Sequence, residues 1–196
     1  EFLRRELFDE RRGVLYRSYC DGRSAVEGFA EDYAFLIQGL IDLYEAAFDV
    51  RWLQWAERLQ QTMDALFWDE ARGGYFNSAA SDANLVLRLK DDYDGAEPTA
   101  GSVAAMNLFR LSVVLSGGAE LRERAMRTIR SLRPQWEKAP HALPQLLCAL
   151  EMGLEPPRQV VIAGDPEAAD FRALAAVLQE RAGARRSWTG AAPGAR

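Results

Sequence analysis

The sequence predicts a mainly α fold of αα-hairpin repeats, punctuated by short β-hairpin turns and followed by a small βα element. Two observations lead there. One segment occurs twice, about 60 residues apart: Leu7-Phe8-Asp9-Glu10-Arg11-Arg12-Gly13-Val14-Leu15-Tyr16 is echoed by Phe67-Trp68-Asp69-Glu70-Ala71-Arg72-Gly73-Gly74-Tyr75-Phe76. Self-similarity at a fixed period marks a repeat architecture, in which each unit buries its apolar face against the next. The second observation is an alternation of helix character, from apolar on all sides to apolar on one side only.

Each copy of the repeat reads as a hydrophobic stop, an acidic turn, one or two glycines and a short strand. Each is followed by an acidic-aromatic step, Glu31-Asp32-Tyr33 and then Asp91-Asp92-Tyr93, ahead of a strongly apolar helix. Phe29 to Phe48 has a helical period with apolar residues around nearly its whole circumference, which predicts burial on all sides. Trp52 to Phe67 differs: Trp52, Ala56, Leu59, Met63 and Leu66 form one stripe, and Gln54, Glu57, Arg58, Gln61 and Asp64 face away. That is a surface helix. Ser102 to Leu115 is again nearly all apolar. Glu120 to Glu137 is one-sided, with a run from Arg122 to Arg133 that reads as a solvated basic face, and Ala142 to Met152 returns to apolar. An inner, outer, inner, outer, inner order builds either a solenoid or a closed toroid of αα-hairpins. The inner helices then run parallel, and their N-terminal ends emerge on one side. In a closed ring those ends line a single pit.

After Pro156-Pro157 the pattern changes. Val160-Val161-Ile162-Ala163-Gly164 reads as a short buried strand and Pro166 to Arg181 as a helix, a βα unit. The expected organisation is therefore a helical-hairpin unit over 1–154, a small βα element over 155–181, and a Gly/Ala/Arg-rich, disordered or non-native tail over 182–196.

Composition excludes several function classes. The chain has 196 residues, 48% of them apolar, and a formal net charge of −5. A sizeable core is available, and nucleic-acid binding is not expected, because phosphate neutralisation needs concentrated Lys and Arg. No apolar run reaches the ~18 residues of a membrane span. The opening Glu1-Phe2-Leu3-Arg4-Arg5 lacks the features of a signal peptide and starts in mid-pattern, so a fragment of a longer protein is expected. Cys20 and Cys148 are far apart, and Cys148, in an apolar helical run, reads as a buried thiol. With one His and no CxxC, no zinc-ligand spacing exists and no metal site is expected. A reducing, cytoplasmic compartment fits best. No glycine-rich phosphate loop is present, and Val160 to Asp165 lacks the later glycines of a dinucleotide fingerprint, so no cofactor is expected.

Candidate chemistry sits at the three inner-helix starts. The first offers Glu31, Asp32 and Tyr33. The second offers Asp91, Asp92, Tyr93, Asp94, Glu97, Thr99 and Ser102, and the third His141 and Gln145. Asp92 or Thr99 can simply cap a helix. As a set, the acidic loop exceeds what capping requires, and grouped carboxylates raise one another's pKa toward general-acid use. Asp92, Asp94 and Glu97 are therefore candidate acid/base groups, with His141 assisting proton transfer or hydrogen bonding. Glu31, Asp32, Tyr33, Tyr93 and Gln145 are candidate substrate contacts. Tyrosines stack on sugar faces, and glycoside hydrolysis uses a carboxylate pair. An epimerase working by paired histidines cannot be assembled here, because the chain has one His.

Three motifs, agreeing in order and spacing over about residues 5 to 180, carry a family resemblance. Glu31-Asp32-Tyr33-Ala34-Phe35-Leu36-Ile37-Gln38-Gly39-Leu40, Gly73-Gly74-Tyr75-Phe76 and Leu87-Arg88-Leu89-Lys90-Asp91-Asp92-Tyr93-Asp94-Gly95-Ala96-Glu97-Pro98 closely resemble the C-terminal region of spermatogenesis-associated, thioredoxin-domain-containing proteins. The resemblance implies an (α/α)6 toroid, similar to N-acylglucosamine 2-epimerases and six-hairpin glycosidases, of which this chain forms part. It further implies a carbohydrate-related role, with the remaining hairpins and a thioredoxin-like domain as partners. Where members often carry Asn before the Ser, this chain has Ala100-Gly101-Ser102.

Two readings of function follow. One is a carbohydrate-active pit, hydrolase- or epimerase-like. The other is a non-catalytic helical scaffold for the thioredoxin-like domain. Inner helices missing neighbours leave an apolar flank exposed, so self-association at micromolar concentration is expected, with light scattering as the check.

Overall fold

The computed structural model describes residues 1–80, 86–154, 158–180 and 186–191. The chain is mainly helical. Helix α1 (Phe2–Glu6) leads into the hairpin β1 (Phe8–Asp9) and β2 (Val14–Leu15). Then come α2 (Ala30–Ala47), α3 (Val50–Phe67), α4 (Ala100–Val114), α5 (Gly118–Ser131), α6 (Arg133–Lys138), a 3-10 turn at Pro140–Ala142 and α7 (Pro144–Leu154). Strand β3 (Arg158–Ala163), α8 (Ala169–Glu180) and β4 (Arg186–Ala191) follow. Among the described residues no helix is long and apolar enough to cross a membrane.

The sequence repeat is a structural repeat, bond for bond. Asp9 Oδ1 accepts from the N–H groups of Arg11 and Arg12 at 3.0 and 3.1 Å, and Asp69 Oδ1 accepts from Ala71 and Arg72, both at 3.0 Å. The chain then reverses at Gly13 (φ +68°) or Gly73 (φ +75°), whose N–H returns to the Asp carbonyl at 2.7 or 2.8 Å. Asp supplies the side-chain acceptor and Gly the left-handed backbone, which is why the turn needs those residue types. At Gly73 a Cβ would also lie 2.9 Å from the Arg127 carbonyl oxygen. Each turn closes when Tyr16 N bonds Leu7 O, or Phe76 N bonds Phe67 O, at 2.8 Å.

The inner helices are parallel. Asn107 Nδ2 donates to Ala34 O at 2.8 Å, and Arg110 reaches Asp42 and Glu45 at 2.7 and 2.8 Å, so partners on α2 rise with position on α4. The N-termini of α4 and α7 share one carboxylate, Asp94, while Phe109 and Gly153 meet further along both helices. Helix α3 returns along α2 after a sharp corner at Phe48 (φ +53°), where Asp49 caps the new helix by accepting from Arg51 N at 3.0 Å. Tyr33, Ile37, Leu59, Met63, Phe67, Leu108 and Leu111 form the centre of the core.

Several expectations are corrected. Helix α2 is not buried on all sides: Phe35 is 36% and Leu43 47% exposed, because α3 and α4 cover only part of its circumference. Three arginines of α5 are not part of a solvated face, whereas Arg130 and the following Arg133 are exposed as expected. Arg124 binds Asp64 at 3.1 Å and lies over Trp68, Arg127 donates to Glu70 O at 2.7 Å, and Arg122 donates to Gly153 O. They tie α5 to the second turn and to α7, where an apolar stripe alone would leave backbone carbonyls unpaired. The predicted outer helix is two helices, parted at Leu132 ahead of Pro134. Cys148 is exposed, on the flank of α7 turned away from α4, and Cys20 is exposed too.

The C-terminal element also differs from expectation. Residues 186–191, within the stretch read as an aperiodic tail, form β4, parallel to β3 with Val160 opposite Trp188. Pro156 and Pro157, and the remainder of the tail, lie outside the described residues. Ile162, Phe171 and Ala175 make a small second cluster. It docks on the C-terminal ends of α2 and α4, through Phe171 edge-on to Phe48 (5.3 Å) and Gln159 Nε2 donating to Val113 O (3.1 Å).

A polar network joins the two outer helices. Tyr75 Oη donates to Asp64 Oδ1 at 2.6 Å, Gln60 Nε2 donates to the same oxygen at 2.9 Å, and Arg124 holds Oδ2. Burial pushes the Asp64 carboxyl above its ordinary 3.8, against the opposing pull of Tyr75 and Arg124. A raised folded-state pKa means the native chain binds more protons than the unfolded one just above that value. The contribution of Asp64 to stability is thus largest at acid pH and falls as pH rises from about 4 through the folded pKa. Urea denaturation of wild type against Asp64→Asn, from pH 4 to 7, should show the wild type losing ground with rising pH; the opposite slope would contradict this.

Candidate functional site

The polar starts of the inner helices meet on one rim, and Asp94 fixes their spacing. It is 7% exposed. Its Oδ1 accepts from Thr99 N at 2.8 Å, at the head of α4, and its Oδ2 accepts from Gln145 N at 3.0 Å and Leu146 N at 3.4 Å, at the head of α7. Its own N–H donates to Ala142 O at 2.7 Å. First-turn N–H groups have no partner inside a helix, and a carboxylate there is also favoured by the helix dipole. One side chain therefore caps two helices.

Asn77 joins the first start to the second. Its carbonyl accepts from Ala30 N at 3.0 Å, its N–H donates to Leu89 O at 2.8 Å, and its side chain donates to Asp91 Oδ1 at 2.8 Å. Asp32 Oδ2 accepts from Phe29 N at 2.8 Å and so caps α2. Arg17 lies over the Phe29 ring, 4.7 Å from its centre, and pairs with Glu31 at 2.7 Å and Asp32 at 3.2 Å. Burial pushes the Asp32 carboxyl above its ordinary value, partly offset by Phe29 N and Arg17.

Between these groups lies a pit of about 260 Å³, lined by Arg17, Phe29, Glu31, Asn77, Ser78 and Asp91, with Ala100 at the start of α4. Arg17 and Asn77 are equivalent positions, each one residue beyond the ten-residue repeat, and Glu31 and Asp91 stand the same distance on. Each repeat thus contributes one donor paired with one carboxylate. Extending the sequence repeat by a single residue in each copy would have found Arg17 and Asn77.

The structure distributes the sequence candidates differently from expectation. Glu31 and Asp32 are on the rim. Tyr33 is not a wall residue: it is fully buried, its ring tilted against that of Phe67, and its Oη accepts from Leu15 N at 2.8 Å, anchoring the first hairpin onto α2. Tyr93 is on the surface, 64% exposed, beside Gly95. Asp92 is exposed, and Glu97 lines an apolar groove along α2, so Asp92, Asp94 and Glu97 do not share one concavity. His141 is exposed on the 3-10 turn. Gln145 is half-buried and reaches the rim through its backbone N–H, the one held by Asp94. Among the described residues no three His, Cys, Asp or Glu side chains are grouped to hold a metal ion.

No family model matches the chain. It is 44% identical over 183 residues to spermatogenesis-associated protein 20 of Mus musculus and to that of Homo sapiens, a match covering 89% of this chain and 23% of each relative. An uncharacterized protein of Caenorhabditis elegans is 38% identical over 165 residues, 84% of this chain and 22% of that protein. The chain thus spans under a quarter of the length of these curated relatives.

Proposed function

Because this chain belongs to the family of spermatogenesis-associated protein 20, we propose that it forms one wall of a pit that binds a polyhydroxylated, carbohydrate-class ligand within a longer, toroid-like polypeptide. The observation that carries this reading is the pair of equivalent donor–carboxylate couples, Arg17 with Glu31 and Asn77 with Asp91, in one pit beside an aromatic ring. Neighbouring sugar hydroxyls donate to a carboxylate and accept from a guanidinium or an amide, so paired couples match them in both directions. Asp94 serves this site by positioning, since its carboxylate oxygens are engaged by backbone N–H groups.

Titration calorimetry with a panel of mono- and oligosaccharides, on the longest polypeptide encoded with this segment, tests the proposal. Asn77→Ala and Asp91→Asn should each weaken binding about tenfold, the worth of one good hydrogen bond. Absence of binding, or binding indifferent to both substitutions, would count against the pit.

A specific observation favours a second reading, a helical scaffold for another domain such as a thioredoxin-like one. A concavity roomier than the pit, about 590 Å³ along α2, is apolar, and the candidate acids do not converge. On that reading, neutralising the rim alters stability or partner capture and leaves sugar binding absent.

A further inference from the structure

A glycine without a purpose inside this chain sits midway along α2. Gly39 shares a helix face with Phe35, Leu36 and Leu43, and a Cβ built on it would meet nothing within 4 Å. Glycine inside a helix is unfavourable relative to alanine, and here no close contact offsets that cost. Elsewhere the chain shows what such a glycine does. On α7, Gly153 lies beneath the ring of Phe109 from the parallel helix α4, and a Cβ there would be 2.6 Å from Phe109 Cζ. The missing Cβ is the hole that receives the neighbour's aromatic side chain.

The surroundings of Gly39 repeat that arrangement with the neighbour absent. Helix α4 packs against a parallel inner helix on each side, α2 and α7. Among the described residues α2 has one such neighbour, and its other flank is the groove of about 590 Å³. The groove is apolar along its length, with Leu3, Leu7 and Leu40 in its walls, and becomes charged at the rim, at Arg17, Glu31, Asp32 and Glu97. A helix fitting it has an apolar face and a polar first turn, the pattern of α2 itself.

We propose that this flank of α2 receives a further apolar helix, parallel to α2, which seats a bulky side chain over Gly39, and that this helix belongs to the same, longer polypeptide. The relatives supply the argument for that source: the chain spans 23% of their length, so most of each relative lies outside the matched stretch. Covering the groove from within the polypeptide continues the packing that α4 already shows.

The test is a reversal of sign. Gly39→Ala is compared in the isolated 196-residue chain, at sub-micromolar concentration, and in the longest polypeptide its gene encodes, by thermal denaturation. In the isolated chain alanine should raise Tm by about 2–4 °C, because helix propensity improves and nothing is displaced. In the longer polypeptide it should lower Tm, and Gly39→Phe should lower it further. Gly39→Phe in the isolated chain, where the space is open, controls for folding and should leave Tm within a degree or two of wild type. A rise with alanine in both contexts would overturn the proposal. So would a dimer of the longer polypeptide that Gly39→Phe converts to monomers, since a second copy would then occupy the groove.

Discussion

Asp94→Ala is expected to lower the stability of the chain by about 2–4 kcal/mol, and its Tm by about 4–16 °C, the largest polar effect on the rim. The substitution strands three backbone donors, Thr99 N, Gln145 N and Leu146 N, at the heads of two helices. A single lost cap costs about 0.5–2 kcal/mol, and a buried donor left without a partner about 1–3 kcal/mol. The sum is held below the additive value because water reaches helix ends once the side chain is gone. Asp94→Asn keeps one acceptor oxygen and should lose about half as much. A catalytic carboxylate behaves in the opposite way, since its amide variant folds as well as wild type and fails only in turnover. Thermal melts of the two variants, taken with any ligand-binding signal, separate the roles. Melting within a degree of wild type for both would remove the clamp from this account.

The second large effect belongs to Tyr33. Truncating a fully buried aromatic leaves a cavity, and Tyr33→Ala should cost about 3–5 kcal/mol. Tyr33→Phe isolates the hydroxyl: it leaves the ring on Phe67 and strands Leu15 N, for a loss of about 1–2 kcal/mol. Hydrogen exchange should show that loss concentrated at Leu15 and its strand partner Phe8, because the phenol oxygen is what ties the hairpin to α2. Were Tyr33 a ligand contact, phenylalanine would weaken binding and leave exchange unchanged.

The architecture was legible in the sequence because it rests on periodicity. The ten-residue repeat survives in the structure, down to matched turns at Asp9 and Asp69, while the predicted contrast in burial holds between α4 and α5 and not between α2 and α3. Composition also reads the inner helices well, but it cannot say how many neighbours each one has. Phe35 and Leu43 look like core residues in sequence and become groove residues because nothing described here covers them. Arg122, Arg124 and Arg127 misled for a related reason. Their spacing is that of a surface, and their carbonyl and carboxylate partners, Glu70, Gly153 and Asp64, are 30 to 60 positions away.

The meeting of the helix starts on one rim was legible, and which residues line the pit beside them was less so. Yet residue type does not distinguish a carboxylate that faces a ligand from one that caps a helix, and Asp94 and Asp32 turn inward to the backbone. Tyr33 carried both aromatic and polar character, which suits sugar stacking and equally suits a buried ring with one hydrogen bond. Arg17 and Asn77 were overlooked because each follows its repeat by one residue, and their partnership with Glu31 and Asp91 shows only in three dimensions.

Helices α2, α4 and α7 point the same way and bring their heads to one rim. Electron–electron distance measurements between spin labels test it most directly, in a background with Cys20 and Cys148 replaced by serine. A label at His141 is paired in turn with one at Asp92, on the rim, and one at Ala46, near the far end of α2. The two ends of α2 are separated by about 25 Å of helix. The distance should be clearly shorter for the Asp92 pair than for the Ala46 pair; equal distances, or a shorter one to Ala46, would rule out a shared rim.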